Sequence, residues 1–278
     1  MRNTDPATVD SFGREWTEFS QSTRELSQRD RLAQFDGYFA IFPWDTLPKD
    51  PVGADIGCGS GRWAMLVAPR VGRLYAIDPS EQALSVARRN LADHPNVTVL
   101  AGSANDLPVA ADSLDFAYCL GVLHHVPDTP AALRAIVERL KLGAPLLIYL
   151  YYALDNRPGW FRALWRATNV ARLAISRMPA ALRMPFAWAI AAAIYWPLAR
   201  SASFAGRFGC VRDTWPLCYY RDKSFYVMRT DAYDRFCTPL EKRFTRLEIE
   251  RMMHEAGLER VVFSERMPHW CAVGFRAR

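Results

Sequence analysis

At 278 residues the chain is long for one domain, and an α/β core carrying an insertion fits that length as well as two independent domains do. Half of its residues are apolar and 13% are aromatic, which excludes a mainly disordered protein. The formal charge of +6 is uneven: residues 156–212 hold nine arginines and no lysine, aspartate or glutamate, which points to a local anionic partner rather than to a basic protein overall.

The opening residues Met1–Ser22 are polar with scattered aromatics and lack the charged start and apolar run of a secretory leader. The six cysteines, Cys58, Cys119, Cys210, Cys218, Cys237 and Cys271, form no CxxC pair, so neither a zinc signature nor a disulfide framework is expected, and a cytoplasmic setting fits. Apolar residues at helical spacing (Trp16, Phe19, Thr23, Leu26, then Leu32, Phe35, Phe39, Phe42) predict one or two helices ahead of the core.

From Val52 short apolar runs alternate with helical stretches, as a parallel sheet requires. The predicted strands are Val52–Ile56, Leu74–Ile77, Val97–Ala101, Leu114–Leu120 and Pro145–Tyr151, with helices over Gly61–Pro69, Ser80–Ala92 and Thr129–Lys141 between them. The alternation stops after Tyr152 and resumes with a helix over Arg246–Ala256 and strands over Arg260–Met267 and Trp270–Arg276, read as an antiparallel hairpin turning at Pro268 and His269.

Between the first strand and its helix stands Gly57-Cys58-Gly59-Ser60-Gly61, where a doubly wound sheet binds a nucleotide-like ligand. The spacing is GxGxG, not the GxGxxG of dinucleotide sites, and Asp55 two residues ahead disfavours a pyrophosphate while suiting an ammonium group. Asp78 ends the second strand, placed to accept hydrogen bonds from two ribose hydroxyls, while Ser80 beyond Pro79 is free to cap the following helix.

Together with Ala101-Gly102-Ser103-Ala104-Asn105-Asp106-Leu107-Pro108 after the third strand and Asp112-Ser113-Leu114-Asp115 before the fourth, these residues resemble the class I S-adenosylmethionine-dependent methyltransferases, in particular the Methyltransf_11-like group. The resemblance is close over roughly residues 50–150 and loose over the C-terminal hairpin. It implies a seven-stranded Rossmann-like α/β sheet, S-adenosyl-L-methionine as cofactor with S-adenosyl-L-homocysteine as product, and cofactor contacts from Asp55, Gly57, Cys58, Gly59, Gly61, Asp78, Pro79, Ser103, Ala104 and Leu120. Ser103 stands where the group usually has an aspartate; Asp106 is the alternative acceptor for the adenine amine.

The resemblance places the loop after the fourth strand, Gly121-Val122-Leu123-His124-His125, beside the methyl acceptor. His124 and His125 are the candidate general bases, needed only if the acceptor must lose a proton. The Asn/Asp-Pro-Pro-Tyr motif that grips a flipped base is missing from this loop, which argues against a nucleic-acid acceptor. The expected reaction is O-methylation of a small-molecule, glycan-linked or lipid-linked acceptor. N-methylation and a non-catalytic cofactor-binding role are the alternatives, and a nicotinamide-dependent oxidoreductase is disfavoured by the loop. The stretch Phe12-Gly13-Arg14-Glu15-Trp16 resembles the start of some bacterial methyltransferases from glycan-modifying clusters.

In the arginine-rich insertion, Phe161, Leu164, Thr168, Ala171, Ile175 and Met178 fall on one helical face and Arg162, Arg166, Asn169 and Arg172 on another. Phe186–Trp196 is apolar on every side, which predicts a buried helix, too short to cross a bilayer. The insertion is read either as a lid or homodimer surface, or as a contact with an anionic membrane surface in which Trp160, Trp165, Trp188 and Trp196 lie at the boundary. The second reading places the protein at the inner membrane face. The expected organisation is an N-terminal helical cover over 1–45, a cofactor-binding core over 46–154, the insertion over 155–230 and a C-terminal completion of the core over 231–278. No metal site is expected.

Overall fold

The computed structural model describes residues 3–22, 27–155, 157–208, 215, 217–266 and 270–277. Thr23, Leu26, Cys210 and the turn at Pro268 and His269 lie outside the described residues. Two compact units are present: residues 1–22, 31–155 and 240–278 form the first, and residues 23–30 and 156–239 the second.

The first unit opens with helix α1 (Pro6–Glu18), capped by Asp5, whose carboxylate accepts from the Thr8 amide. Helix α2 (Gln28–Tyr38), in this unit from residue 31 on, carries Phe35 towards the core, where it stacks at 4.3 Å on Phe39 just past the helix end. Then come β1 (Val52–Ile56), α3 (Ala64–Val67), β2 (Arg73–Asp78), α4 (Glu81–Asn90), β3 (Val97–Ala101), β4 (Phe116–Leu120), α5 (Thr129–Val137) and β5 (Pro145–Tyr149).

Strands β1 to β5 are parallel in the order β3-β2-β1-β4-β5, so the chain reverses its direction of travel across the sheet between β3 and β4. A doubly wound sheet binds ligands at that switch, beyond the C-terminal ends of β1 and β4.

Alternation along the strands builds two cores. On one face Ala54, Ile56, Ala117 and Cys119 meet Leu133 and Ile136 of α5. On the other, Phe116, Tyr118 and Leu120 meet Phe35, Phe39 and Leu84. Every residue of β4 is buried, as a central strand covered on both faces must be.

The predicted strands stand, with shifted ends. Leu114 lies ahead of β4, bridging to Leu140, and β5 stops at Tyr149. The helix expected over Gly61–Pro69 is a single α turn, α3, followed by a 3-10 turn over Ala68–Arg70, because Pro69 removes an amide and ends the ladder.

The second unit is helical: α6 (Gly159–Ser176), α7 (Ala180–Ile190), a π turn (Ala191–Tyr195), α8 (Trp196–Gly206) and α9 (Phe225–Cys237). Two expectations fail here. The inward face of α6 carries Arg172, Ile175 and Ser176, with Phe161 and Trp165 half-buried, whereas Leu164, Thr168 and Ala171 are exposed. Arg172 turns inward because its guanidinium finds acceptors there, Asn169 Oδ1 at 2.8 Å and the Thr238 carbonyl at 3.0 Å. Nor is the apolar stretch Phe186–Trp196 buried all round: Ala187, Ala191 and Tyr195 face inward, while Phe186, Ile194 and Trp196 are between 44% and 49% exposed.

The chain returns to the first unit through α10 (Arg246–Glu255), β6 (Leu258–Phe263) and β7 (Cys271–Arg276). A capping box between Thr245 and Glu248 starts α10. Gly257, at φ +91°, ends it and sends the chain straight into β6, two residues earlier than predicted. β7 pairs antiparallel with both β5 and β6 and closes a seven-stranded sheet.

Candidate active site

Neighbouring parallel strands deliver their loops to one edge of the sheet. Asp55 of β1 is in register with Ala76 of β2 and Tyr118 of β4, so the loops after these three strands converge at the C-terminal edge. The glycine loop hangs from β2: the amides of Gly57 and Cys58 both donate to the Ile77 carbonyl, at 2.8 and 3.0 Å. Gly57, Gly59 and Gly61 all take positive φ (75°, 53° and 78°), a conformation costly for any residue with a Cβ.

Asp78 fixes that loop. Its two carboxylate oxygens accept from the Gly59 amide at 3.0 Å and the Ser80 amide at 2.9 Å. Ser80 itself caps α4 by accepting from the Ala83 amide, so the acid does not serve as the helix cap. A carboxylate offers about four acceptor positions, so Asp78 retains capacity for two hydroxyl donors. Pro79 is exposed between these two residues, and Cys58 is buried, its thiol pushed up by burial and by the charges of Asp78 and Asp55.

Asp55 is 1% exposed and its Oδ2 has no hydrogen-bond partner. Burial pushes its carboxyl up to about 7; the neighbouring Tyr118 hydroxyl opposes that shift, the Asp78 charge adds to it, and Arg62 and the Ala64 amide oppose it. Burial likewise raises Asp78 to about 6, against the Ser80 and Gly59 amides. Two buried acids side by side, one with an orphan oxygen, form a cluster whose electrostatics improve when a cation arrives.

The loop after β3 makes a tight turn in which Ser103 and Asp106 exchange backbone hydrogen bonds at 3.3 and 3.0 Å, with Ala104 buried within it. Leu120 is buried at the end of β4. Beyond it, a 3-10 turn over Leu123–His125 buries both histidines. His124 Nδ1 lies 3.4 Å from the Tyr151 amide, a donor only, so this nitrogen accepts and the proton of the neutral ring sits on Nε2. Burial, together with His125 and Arg243, holds His124 well below the usual histidine range, and its ring stacks on Tyr151 at 3.8 Å. His125 is the opposite case: Nδ1 lies 2.6 Å from the Leu240 carbonyl, an acceptor only, so Nδ1 carries the proton and Nε2 is the basic nitrogen.

Helix α1, part of the segment expected as a helical cover, lies across this edge, a contact that its apolar spacing does not specify. Trp16 packs so close to the glycine loop that a Cβ on Gly59 would stand 2.7 Å from the indole Nε1. Gly13 rests on Ser80 and Gln82 at the start of α4, and the Phe12 ring meets His125 edge-on at 4.9 Å. Asn3 ties the ends together: its side chain donates to Asn105 Oδ1 and the Asp128 carbonyl and accepts from the Asp128 amide. The signal that could have found this contact is the Phe12/Trp16 pair one helical turn apart. A separate groove lined by Trp44, Pro48, Asp50 and Arg70 lies before β1, away from this edge.

The chemistry of the donor set is that of a site for a cationic, hydroxyl-bearing ligand: Asp55 for a positive group, Asp78 for hydroxyls, a glycine loop for close backbone approach. These features fit S-adenosylmethionine. Among the described residues no His, Cys, Asp or Glu cluster forms a metal site.

Residues 54–143 match the profile of a family described as a methyltransferase domain. Over 120 residues the chain is 32% identical to a demethylmenaquinone methyltransferase of Listeria welshimeri, covering 40% of this chain and 50% of the relative. Over 130 residues it is 34% identical to a ubiquinone biosynthesis O-methyltransferase of Xanthomonas axonopodis pv. citri, covering 45% and 53%. The chain thus spans about half the length of the curated relatives it matches. A solved SAM-dependent methyltransferase from Thermotoga maritima superposes with a TM-score of 0.50 at 17% identity, over 98% of this chain and all of that one, a likeness of fold.

Proposed function

We propose that the chain is a class I S-adenosylmethionine-dependent methyltransferase, as its match to a methyltransferase-domain family over residues 54–143 supports, and that it transfers the methyl group to an oxygen of a small-molecule, glycan-linked or lipid-linked acceptor. When bound, S-adenosylmethionine supplies an electrophilic methyl group on a sulfonium. The protein's own task is then to hold, orient and desolvate the reactants, and to receive a proton if the attacking oxygen carries one.

In this reading the Asp55 carboxylate pairs with the ammonium of the cofactor and Asp78 accepts from its ribose hydroxyls, with the Ser103–Ala104 turn at the adenine. His125 takes the acceptor's proton on Nε2, and this tautomer, fixed by the Leu240 carbonyl, is the observation that carries the oxygen reading. His124 acts as a neutral support for the same loop. An oxygen acceptor also accords with the O-methyltransferase named among the relatives, and quinone-type phenols are the first acceptors to try.

The test is formation of S-adenosylhomocysteine from S-adenosylmethionine with phenolic quinone precursors, glycosides and lipid-linked glycans, followed by mass analysis of the product. A methyl ether formed by the wild type, and lost in His125→Gln with cofactor affinity kept, supports the reading. A folded protein that binds the cofactor and turns over none of these acceptors contradicts it and leaves a non-catalytic binding role; methylation on nitrogen contradicts the oxygen assignment.

A further inference from the structure

Helices α7 and α8, joined by the π turn, form one continuous rod over residues 180–206. Its inward face is a row of Ala187, Ala191, Tyr195, Ala199 and Ala202, all buried. The side turned outward holds Leu182, Phe186, Ile194 and Phe204, between 44% and 63% exposed, and Phe208 just beyond the rod is 68% exposed. Isolated exposed apolar residues need no explanation, but a row of them along a helix does.

Within residues 156–212 the charged groups share one sign, and the exposed Asp222 beyond them pairs with Arg221. Arg162, Arg166, Arg177, Arg200 and Arg207 are exposed, and none forms an ion pair among the described residues. Helices α6 and α7 both seat on α9 and touch each other, so their outward sides adjoin. That of α6 adds Trp160, Ala163, Arg166 and Val170, all exposed. No helix among the described residues is long and apolar enough to cross a membrane.

We propose that the outward side of α6, α7 and α8 docks on an anionic lipid bilayer, with Leu182, Phe186, Ile194 and Phe204 entering the headgroup boundary and the flanking arginines meeting lipid phosphates. Charge complementarity selects this occupant. A second copy of the chain would set arginine against arginine across a two-fold interface, since residues 156–212 contain no acid to pair with them. A nucleic acid would satisfy the arginines but leave the apolar row without a partner. The inference stands on the second unit alone and does not rest on the proposed reaction.

The test is co-sedimentation of the full chain with phosphatidylcholine vesicles, with and without phosphatidylglycerol, at low and high salt. Binding is expected only to the anionic vesicles and is expected to weaken with salt. The Arg162→Gln/Arg166→Gln/Arg207→Gln variant should bind roughly a hundredfold more weakly, and Phe186→Ser/Phe204→Ser should also lose binding, each with a far-UV spectrum and melting curve like the wild type's. Absence of binding by the folded wild type overturns the proposal. So does a concentration-dependent dimer in sedimentation velocity that Phe186→Ser/Phe204→Ser abolishes, which would make this side a self-interface. The charge-neutral variants lie on exposed positions, so a melting curve separates loss of docking from loss of fold.

Discussion

Replacing Asp55 with asparagine should stabilise the ligand-free protein at alkaline pH while abolishing its affinity for a cationic cofactor. Burial raises the Asp55 carboxyl from its ordinary 3.8 to about 7 in the folded protein. A raised folded pKa means that the folded state holds the proton more tightly, so the associated stability is fully present below about pH 4 and is lost as pH rises through about 7. At about 1.4 kcal/mol per tenfold change in proton affinity, a rise from 3.8 to about 7 means that the ionised carboxylate costs the folded state on the order of 4 kcal/mol by about pH 8.5. Asparagine removes that penalty but buries an amide with incomplete partners, at about 1 to 3 kcal/mol. The net gain at high pH is therefore about 1 to 3 kcal/mol, or a rise in Tm of roughly 3 to 8 °C. At about pH 4, where the native carboxyl is protonated, the variant should be the less stable of the two. The assay is thermal unfolding of both proteins across this range, together with S-adenosylmethionine titration. A Tm difference that does not change with pH would refute the reasoning, because the carboxylate would then carry no burial penalty in the folded state.

Three further outcomes follow from the same geometry. Gly59→Ala adds a Cβ at positive φ and against the Trp16 indole, and should destabilise the protein by about 1 to 3 kcal/mol in thermal unfolding, with part of the loss recovered in Gly59→Ala/Trp16→Ala. His124→Gln should leave the lower limb of the pH–kcat/KM profile in place, since the His124 ring stays neutral well below the usual histidine range, whereas His125→Gln should abolish turnover with cofactor affinity kept. Thr245→Ala breaks the capping box of α10 and should lower unfolding stability by about 1 kcal/mol without changing cofactor affinity.

The parallel core was legible because its signals are local and redundant. Apolar runs of strand length, a glycine loop after the first, an acid at the end of the second and a serine cap beyond it all point to one architecture. The insertion was less so, for two physical reasons. From Phe161 the helical spacing can run through Leu164, Thr168 and Ala171 or through Trp165, Asn169 and Arg172, and spacing alone does not choose between them; the second is the packed one. Arg172 then goes inward because the Thr238 carbonyl awaits it 66 residues on, a partner that helical periodicity cannot reveal.

The same limit applied at the site. Asp55, Asp78 and the glycines could be placed from their neighbours in sequence. The histidines could be found but not told apart, because their tautomers are set by the Tyr151 amide and the Leu240 carbonyl, which only the fold brings to them. The cover that α1 lays over the glycine loop depends on Gly59 leaving room for Trp16, a complementarity between residues 43 positions apart.

The most direct test of the account is calorimetric titration of the full chain with S-adenosylmethionine, S-adenosylhomocysteine and NADH, repeated on Asp78→Ala. The account predicts that both adenosyl ligands bind, that NADH does not, and that loss of the carboxylate tying Gly59 to Ser80 weakens adenosyl binding at least tenfold, by about 1.4 kcal/mol or more. Binding of NADH, or no adenosyl binding by a protein whose melting curve shows it folded, would contradict it.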